Sequence, residues 1–213
     1  MSRLQKQRDA KSSKKLILTN AIELFSINEF SSVSMDSLAK VCNLNKAMIF
    51  YYYKNKQALY EAVIVYVLDE IYNKIVIENS KITNPKKQLE SFVNCFTLFA
   101  WEKPYLSSLL LRELSNSNHS SISQTLFSNM KKLYSLFCDI IKSGEGDDFK
   151  QNCSEDSMML YFMVTGTINL MITTKTIRFE AYEVDTLNTC FKCDAHYIYS
   201  YINKQILTLI KKD

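Results

Sequence analysis

The 213-residue sequence has only three glycines, two prolines, two histidines and one tryptophan. So few helix breakers exclude a turn-rich β fold and predict an all-helical chain. With two imidazoles and three glycines, no nucleophile, base and orienting group can be assembled, and no phosphate-cradling loop can be built, so an enzyme is not expected. No apolar run approaches the roughly 18 residues a bilayer-spanning helix needs. The stretch Met1 to Lys15 is basic and polar, without a hydrophobic signal region, which predicts a soluble, cytoplasmic protein with no membrane partner. Cys42, Cys95, Cys138, Cys153, Cys190 and Cys193 are scattered through expected helix, so free thiols rather than a disulfide framework are expected. Nothing in the sequence calls for a cofactor, and no internal repeat is visible.

What is present is unevenly distributed. Residues 1–56 carry ten Lys or Arg against four Asp or Glu, a net +6, whereas residues 57–213 have a net −2. A basic head on a nearly neutral body suits a polyanion, either nucleic acid or an anionic membrane surface. The apolar pattern separates the two. Ile17, Ala21, Leu24 and Phe25 form one stripe of a first helix from Lys14. The preceding basic arm, residues 1–13, lacks such a stripe and is expected to be disordered. Ser34 is an N-cap for a second helix with Met35, Leu38, Ala39 and Cys42 inward, and Asp36 suits that helix's dipole. Asn43 tolerates the left-handed turn that ends it. Asn45 caps a third helix, about Lys46 to Tyr52, and Asn55 a fourth, with Leu59, Ala62, Val63 and Tyr66 on one face. Short helices joined by capped turns describe a helix-turn-helix over residues 14–60.

The residues of that segment suit DNA. Lys46 and Lys56 each follow an asparagine cap directly, where a cation opposes the helix macrodipole; a bound phosphate would reverse the sign of that effect. The plainer alternative is two solvated lysines. Successive helical residues lie about 100° apart, so Phe50, Tyr51, Tyr52 and Tyr53 cannot all face inward. Phe50 and Tyr53 are the expected core pair, leaving Tyr51 or Tyr52 to reach a phosphate. The expected phosphate-binding set is Ser34, Asn45, Tyr51, Tyr52, Asn55 and Lys56. Base reading falls to the exposed start of the third helix, at Lys46, Ala47 and Met48.

Residues 15–65 resemble the TetR (tetracycline repressor) family of bacterial regulators. Ile17, Leu18, Ala21, Leu24 and Phe25 match its first helix, Ser34, Met35, Leu38 and Ala39 its second, and Asn45 through Leu59 its recognition segment. Lys46, Ile49, Tyr51, Asn55, Lys56 and Leu59 are in register. Departures are Glu29 and Ala47, where the family often has glycine, and Phe50, where a tyrosine usually donates to phosphate. The resemblance implies a homodimer paired through its last two helices, with residues 61–213 forming a larger helical ligand-binding and dimerisation domain. It also implies a repressor on double-stranded operator DNA, released by a small-molecule effector. An effector-independent architectural or interaction protein with the same head is the alternative.

Within the larger domain, Pro85 and Pro104 can each open a helix, and residues 143–154 read as a loop. Two long helices are expected at about Glu155 to Arg178 and Asp185 to Lys211. The first is apolar nearly all round, which suits burial on two sides, and Gly166 would permit close helix approach. Phe96, Phe99, Trp101, Tyr105, Phe127, Met130, Tyr134 and Phe137 are candidates to line a pocket for an apolar effector, or else they are plain core. Cys190, Cys193 and His196 have the spacing of a metal motif. On a helix, however, each step of three residues drifts about 60° and no fourth ligand is evident, so packing and no metal are expected.

Overall fold

A computed structural model describes residues 3–115, 121–174 and 194–212, and among these residues the regular structure is helical, with no strand. The elements are α1 (Arg3–Ile27), α2 (Met35–Cys42), α3 (Lys46–Tyr52), α4 (Lys56–Asn79), α5 (Pro85–Glu102), α6 (Pro104–Ser115) and α7 (Ser121–Gly144). A 3-10 turn, Cys153–Asp156, then leads into α8 (Ser157–Thr173), and α9 (Ala195–Ile210) closes the sequence of elements. No helix among the described residues is long and apolar enough to cross a membrane.

The chain divides into two compact units, one of Met1–Val67 with Asn116–Leu126 and the other of Leu68–Ser115 with Phe127–Asp213. The boundary expected at residue 60 therefore moves, and the reason lies in α4. Its first three turns bury Leu59, Tyr60, Val63, Ile64 and Val67, so the helix runs on through residue 60 without a break. Tyr66, expected on the inward face, is exposed instead. The other revision is at the start, where α1 begins at Arg3, so the arm expected to be disordered is the first part of a continuous 25-residue helix.

In the first unit, Ile17, Ala21, Ile22 and Phe25 of α1 meet Met35, Leu38, Ala39 and Cys42 of α2. Phe25, Phe30 and Tyr60 close this core as an aromatic cluster, Tyr60 edge-on to Phe25 at 4.8 Å and tilted against Phe30 at 5.0 Å. Leu24 is only half-buried.

The second unit is organised by α5, α8 and α9. Asn84 caps α5 by accepting from Lys87 N at 3.0 Å, with Pro85 in the first turn, where its missing N–H costs nothing. Phe92 packs edge-on against Phe137 and Tyr161. Burial pushes the Tyr161 phenol far above its ordinary range. In α9, Ile198, Ile202, Ile206 and Ile210 recur at intervals of four, a single buried stripe. Two ion pairs fasten the second half of α4: Lys103 holds Glu70, and Lys132 Nζ reaches Asp69 at 3.1 Å.

The loop expected at residues 143–154 is present but tightly built. Gly146 takes φ +83°, which an L side chain rarely adopts. Fully buried Phe149 donates its N–H to the Gly144 carbonyl at 2.9 Å, and Lys150 N reaches the Ile210 carbonyl at 2.7 Å. The Glu145 carboxylate accepts from the Ser154 amide and hydroxyl, and these bonds hold its pKa below the ordinary value. A Cβ on Gly144 would lie 2.6 Å from the Phe149 ring and 2.9 Å from Pro85 Cβ. Gly144→Ala should therefore lower stability by about 1–3 kcal/mol, read as a lower urea midpoint with unchanged slope.

Candidate DNA-binding site

The site is built around α3, a helix of seven residues with one buried side chain, Ile49. Its start is prepared by the turn before it. Asn43 sits in the left-handed region at φ 51° and ψ 43°, the conformation for which a short polar side chain is suited. Its N–H and that of Leu44 return to the carbonyls of Lys40 and Ala39, tying off α2. Asn45 then caps α3, its Oδ1 accepting from Ala47 N at 2.9 Å. Ser34 caps α2 in the same manner, accepting from Ser37 N at 2.9 Å, and the Ser37 hydroxyl answers by accepting from Ser34 N at 3.1 Å. Asn55 does so for α4, accepting from Ala58 N at 2.8 Å. All three caps expected from the sequence are formed.

Because Ile49 alone turns inward, Lys46, Ala47, Met48, Phe50 and Tyr51 are exposed. Tyr51 is 80% exposed, and half-buried Tyr52 meets its ring edge-on at 5.1 Å. The expected inward pair is half right. Tyr53 is buried and donates from its hydroxyl to the Lys14 carbonyl of α1 at 3.3 Å, but Phe50 is 40% exposed. Tyr53 follows the end of α3 with extended φ and ψ, so its direction is set by the chain turning off the helix and not by helical spacing.

The two lysines differ. Lys46 Nζ lies 2.7 Å from Asp36 Oδ2 on α2 and 6.0 Å from the Phe50 ring centre. Lys56 Nζ donates to the carbonyls of Phe30 at 2.8 Å and Ser31 at 3.3 Å, and sits 4.4 Å from the Phe30 ring centre. Lys56 thus stitches the start of α4 to the α1–α2 connection. Sequence reasoning missed both this internal role and the Asp36 partner, since neither contact follows from helical spacing.

Of the pocket candidates in the second unit, Phe96, Phe99 and Phe137 are packed in the core. Trp101, Tyr105, Met130 and Tyr134 are half-buried, and Phe127 is exposed. His196 contacts the Tyr199 hydroxyl; Cys190 and Cys193 lie outside the described residues. Burial pushes the thiols of Cys42, Cys95 and Cys153 above their ordinary pKa, which disfavours the reactive thiolate.

A short exposed helix, held by caps across a tight turn from a second helix, defines the helix-turn-helix head of a transcription regulator. Residues 17–63 match the family model for bacterial regulatory proteins of the tetR family, and it is this segment of the chain that is similar to the family. The biofilm operon icaADBC negative transcriptional regulator IcaR of Staphylococcus aureus is 30% identical over 101 residues, 47% of this chain and 53% of the relative. The chain thus spans about half the length of the curated relatives it matches. FadR from Bacillus subtilis, solved with stearoyl-CoA, superposes with a TM-score of 0.71 at 16% identity, covering 91% of this chain and 97% of its own. AibR, solved with isovaleryl coenzyme A and operator DNA, gives a TM-score of 0.70 at 14% identity with the same coverage. At such identities the likeness is one of fold.

Replacing Lys56 by Met keeps an unbranched side chain and removes the two hydrogen bonds together with the ammonium's contact to the Phe30 ring. Lys56→Met should lower stability by about 1–2 kcal/mol, measured by urea unfolding followed by circular dichroism.

Proposed function

We propose that the chain is a homodimeric repressor that binds operator DNA through α3 and is released by a small apolar effector. The observation that supports this most directly is the set of outward side chains on a capped, exposed α3: Lys46, Ala47 and Met48 at its start, and Tyr51 beyond. An α-helix fits the major groove and its first residues approach base edges, so Lys46 addresses guanine while Ala47 and Met48 meet a thymine methyl. Phosphate contacts fall to Ser34, Asn45, Tyr51, Tyr52, Asn55 and Lys56. The caps use the Asn45 and Asn55 carbonyl oxygens and leave the amide NH2 groups as donors. Lys56 uses two of its three hydrogens on carbonyls, and in this reading the remaining one donates to phosphate.

Pairing through α8 and α9 is supported by apolar side chains left open there. Met159, Phe162, Met163 and Leu170 of α8, with Tyr201 and Leu209 of α9, are exposed in the single chain. A Cβ on Gly166 would meet nothing within 4 Å, which leaves room for a close-packed second helix. The effector reading draws on the apolar acyl chains of the CoA esters solved with FadR and AibR and on half-buried Trp101, Tyr105, Met130 and Tyr134.

The test is a gel shift of the full chain on the DNA upstream of its own gene, at several salt concentrations, with and without stearoyl-CoA, isovaleryl-CoA and free fatty acids. Retention that survives competitor DNA, falls steeply with salt and is relieved by one of these compounds is the expected result. Absence of specific retention overturns the DNA reading; retention unaffected by any compound overturns the effector reading. For the dimer, Phe162→Glu with Leu170→Glu should give a folded monomer by sedimentation and reduce operator affinity at least about 100-fold, since one short helix makes few base contacts alone.

A further inference from the structure

Asp36 has an evident local reason to be acidic, because a carboxylate in the first turn of α2 is favoured by the helix dipole. That reason does not account for its partner. Lys46 lies ten residues on, at the start of a different helix, where its charge opposes the dipole of α3. The pair joins opposite charges across the first turns of α2 and α3 while leaving both side chains open, at 47% and 63% exposure. An ion pair this exposed contributes only about 0–1 kcal/mol to folding, so stability is a weak reason for it. On a head with net charge +6, a carboxylate beside the recognition helix also works against the phosphates.

The geometry has a complement in the major groove. A C·G pair presents the cytosine N4 amino group, a donor, beside guanine O6 and N7, two acceptors. Aspartate accepts from cytosine N4, and lysine donates to guanine O6 and N7. A carboxylate and an ammonium already 2.7 Å apart present the matching acceptor and donor side by side. The Phe50 ring centre lies 6.0 Å from Lys46 Nζ, within reach of a weak cation–π attraction on the same helix. An A·T pair has the thymine methyl next to its acceptor, which crowds a charged pair.

We infer that Asp36 is a specificity-determining residue which, with Lys46, reads one C·G base pair as a unit. The inference rests on the proposed sequence-specific DNA binding. Asp36 holds the ammonium in place before DNA arrives, and in the complex its carboxylate moves from sharing Lys46 to taking the cytosine amino group.

The test uses the full-length protein, as wild type, Asp36→Asn, Lys46→Met, the double variant and Asp36→Glu, with binding sites selected from randomised duplex DNA. Affinities are then measured on the selected site and on copies with each base pair exchanged. For the wild type, exchanging one C·G pair should weaken binding about tenfold or more. Asp36→Asn should bind unrelated DNA several-fold more tightly, from lost repulsion, and shrink the penalty at that one pair to below about threefold. Lys46→Met should lose the same position, and the double variant should lose no more than either alone. Asp36→Glu, which keeps the charge and the dipole interaction, should also change the preference, separating base reading from folding. If Asp36→Asn selects the wild-type sequence at every position, whatever its overall affinity, the inference is overturned. It is also overturned if the two single variants lose different positions. A wild type with no base preference would overturn the DNA-reading proposal itself.

Discussion

The first unit depends on one constraint: a helix of seven residues cannot hold itself together in water. Helix nucleation is costly, and isolated helices shorter than about 12–15 residues are marginal even in favourable sequences. α3 also buries a single side chain, Ile49, so its own packing supplies little. Its geometry is therefore set from outside, by the left-handed turn at Asn43, the Asn45 cap and the Tyr53 hydroxyl anchored on the α1 backbone. Burying only one residue also has a use. It leaves five of the seven side chains of α3 exposed, the surface that the proposed DNA contact would use and that a self-stabilising amphipathic helix could not offer.

The same constraint explains why neighbouring polar contacts concentrate at helix starts. The caps at Ser34, Asn45 and Asn55 satisfy backbone donors that would otherwise be orphaned, and each fixes where the following side chains point. Lys56 extends the scheme by filling carbonyls of Phe30 and Ser31 while lying against the Phe30 ring. Phe30 in turn packs on Tyr60, one turn into α4. Polar capping and aromatic packing are thus parts of one connection between α1, α2 and α4.

Local rules made this much of the protein readable from sequence. Caps, the Asn43 turn, the prolines opening α5 and α6 and the stripes of α1 and α2 follow from short-range chemistry, and the structure has them. What periodicity could not supply were effects of chain direction and distant partners. Phe50 and Tyr53 are three apart, but Tyr53 lies beyond the helix, so helical spacing misplaced one of them. The arm before Lys14 has no apolar stripe, yet it continues α1 because a helix already nucleated by buried Ile17 and Ala21 extends through polar residues at small cost. The Asp36–Lys46 pair and the Lys56 carbonyl contacts join residues ten to twenty-six apart through the tertiary fold, and no pattern in the sequence announces them.

In the second unit the difficulty is of another kind, because α8 is apolar on too many sides for periodicity to rank them. Leu160, Val164, Ile168 and Ile172 recur at intervals of four and face the core, whereas Met159, Phe162, Met163 and Leu170 remain open. Each of these side chains is about half exposed, so full burial would gain about 1–1.5 kcal/mol apiece. A soluble chain rarely leaves a contiguous surface of that kind uncovered. The contrast with α9 is informative, since its buried isoleucine stripe has polar Lys204 and Gln205 among the open positions. Among the described residues of α8 and α9, the open apolar surface is therefore concentrated on α8, on the side that carries Gly166. It is there, more than on α9, that a second copy of the chain would gain most by packing.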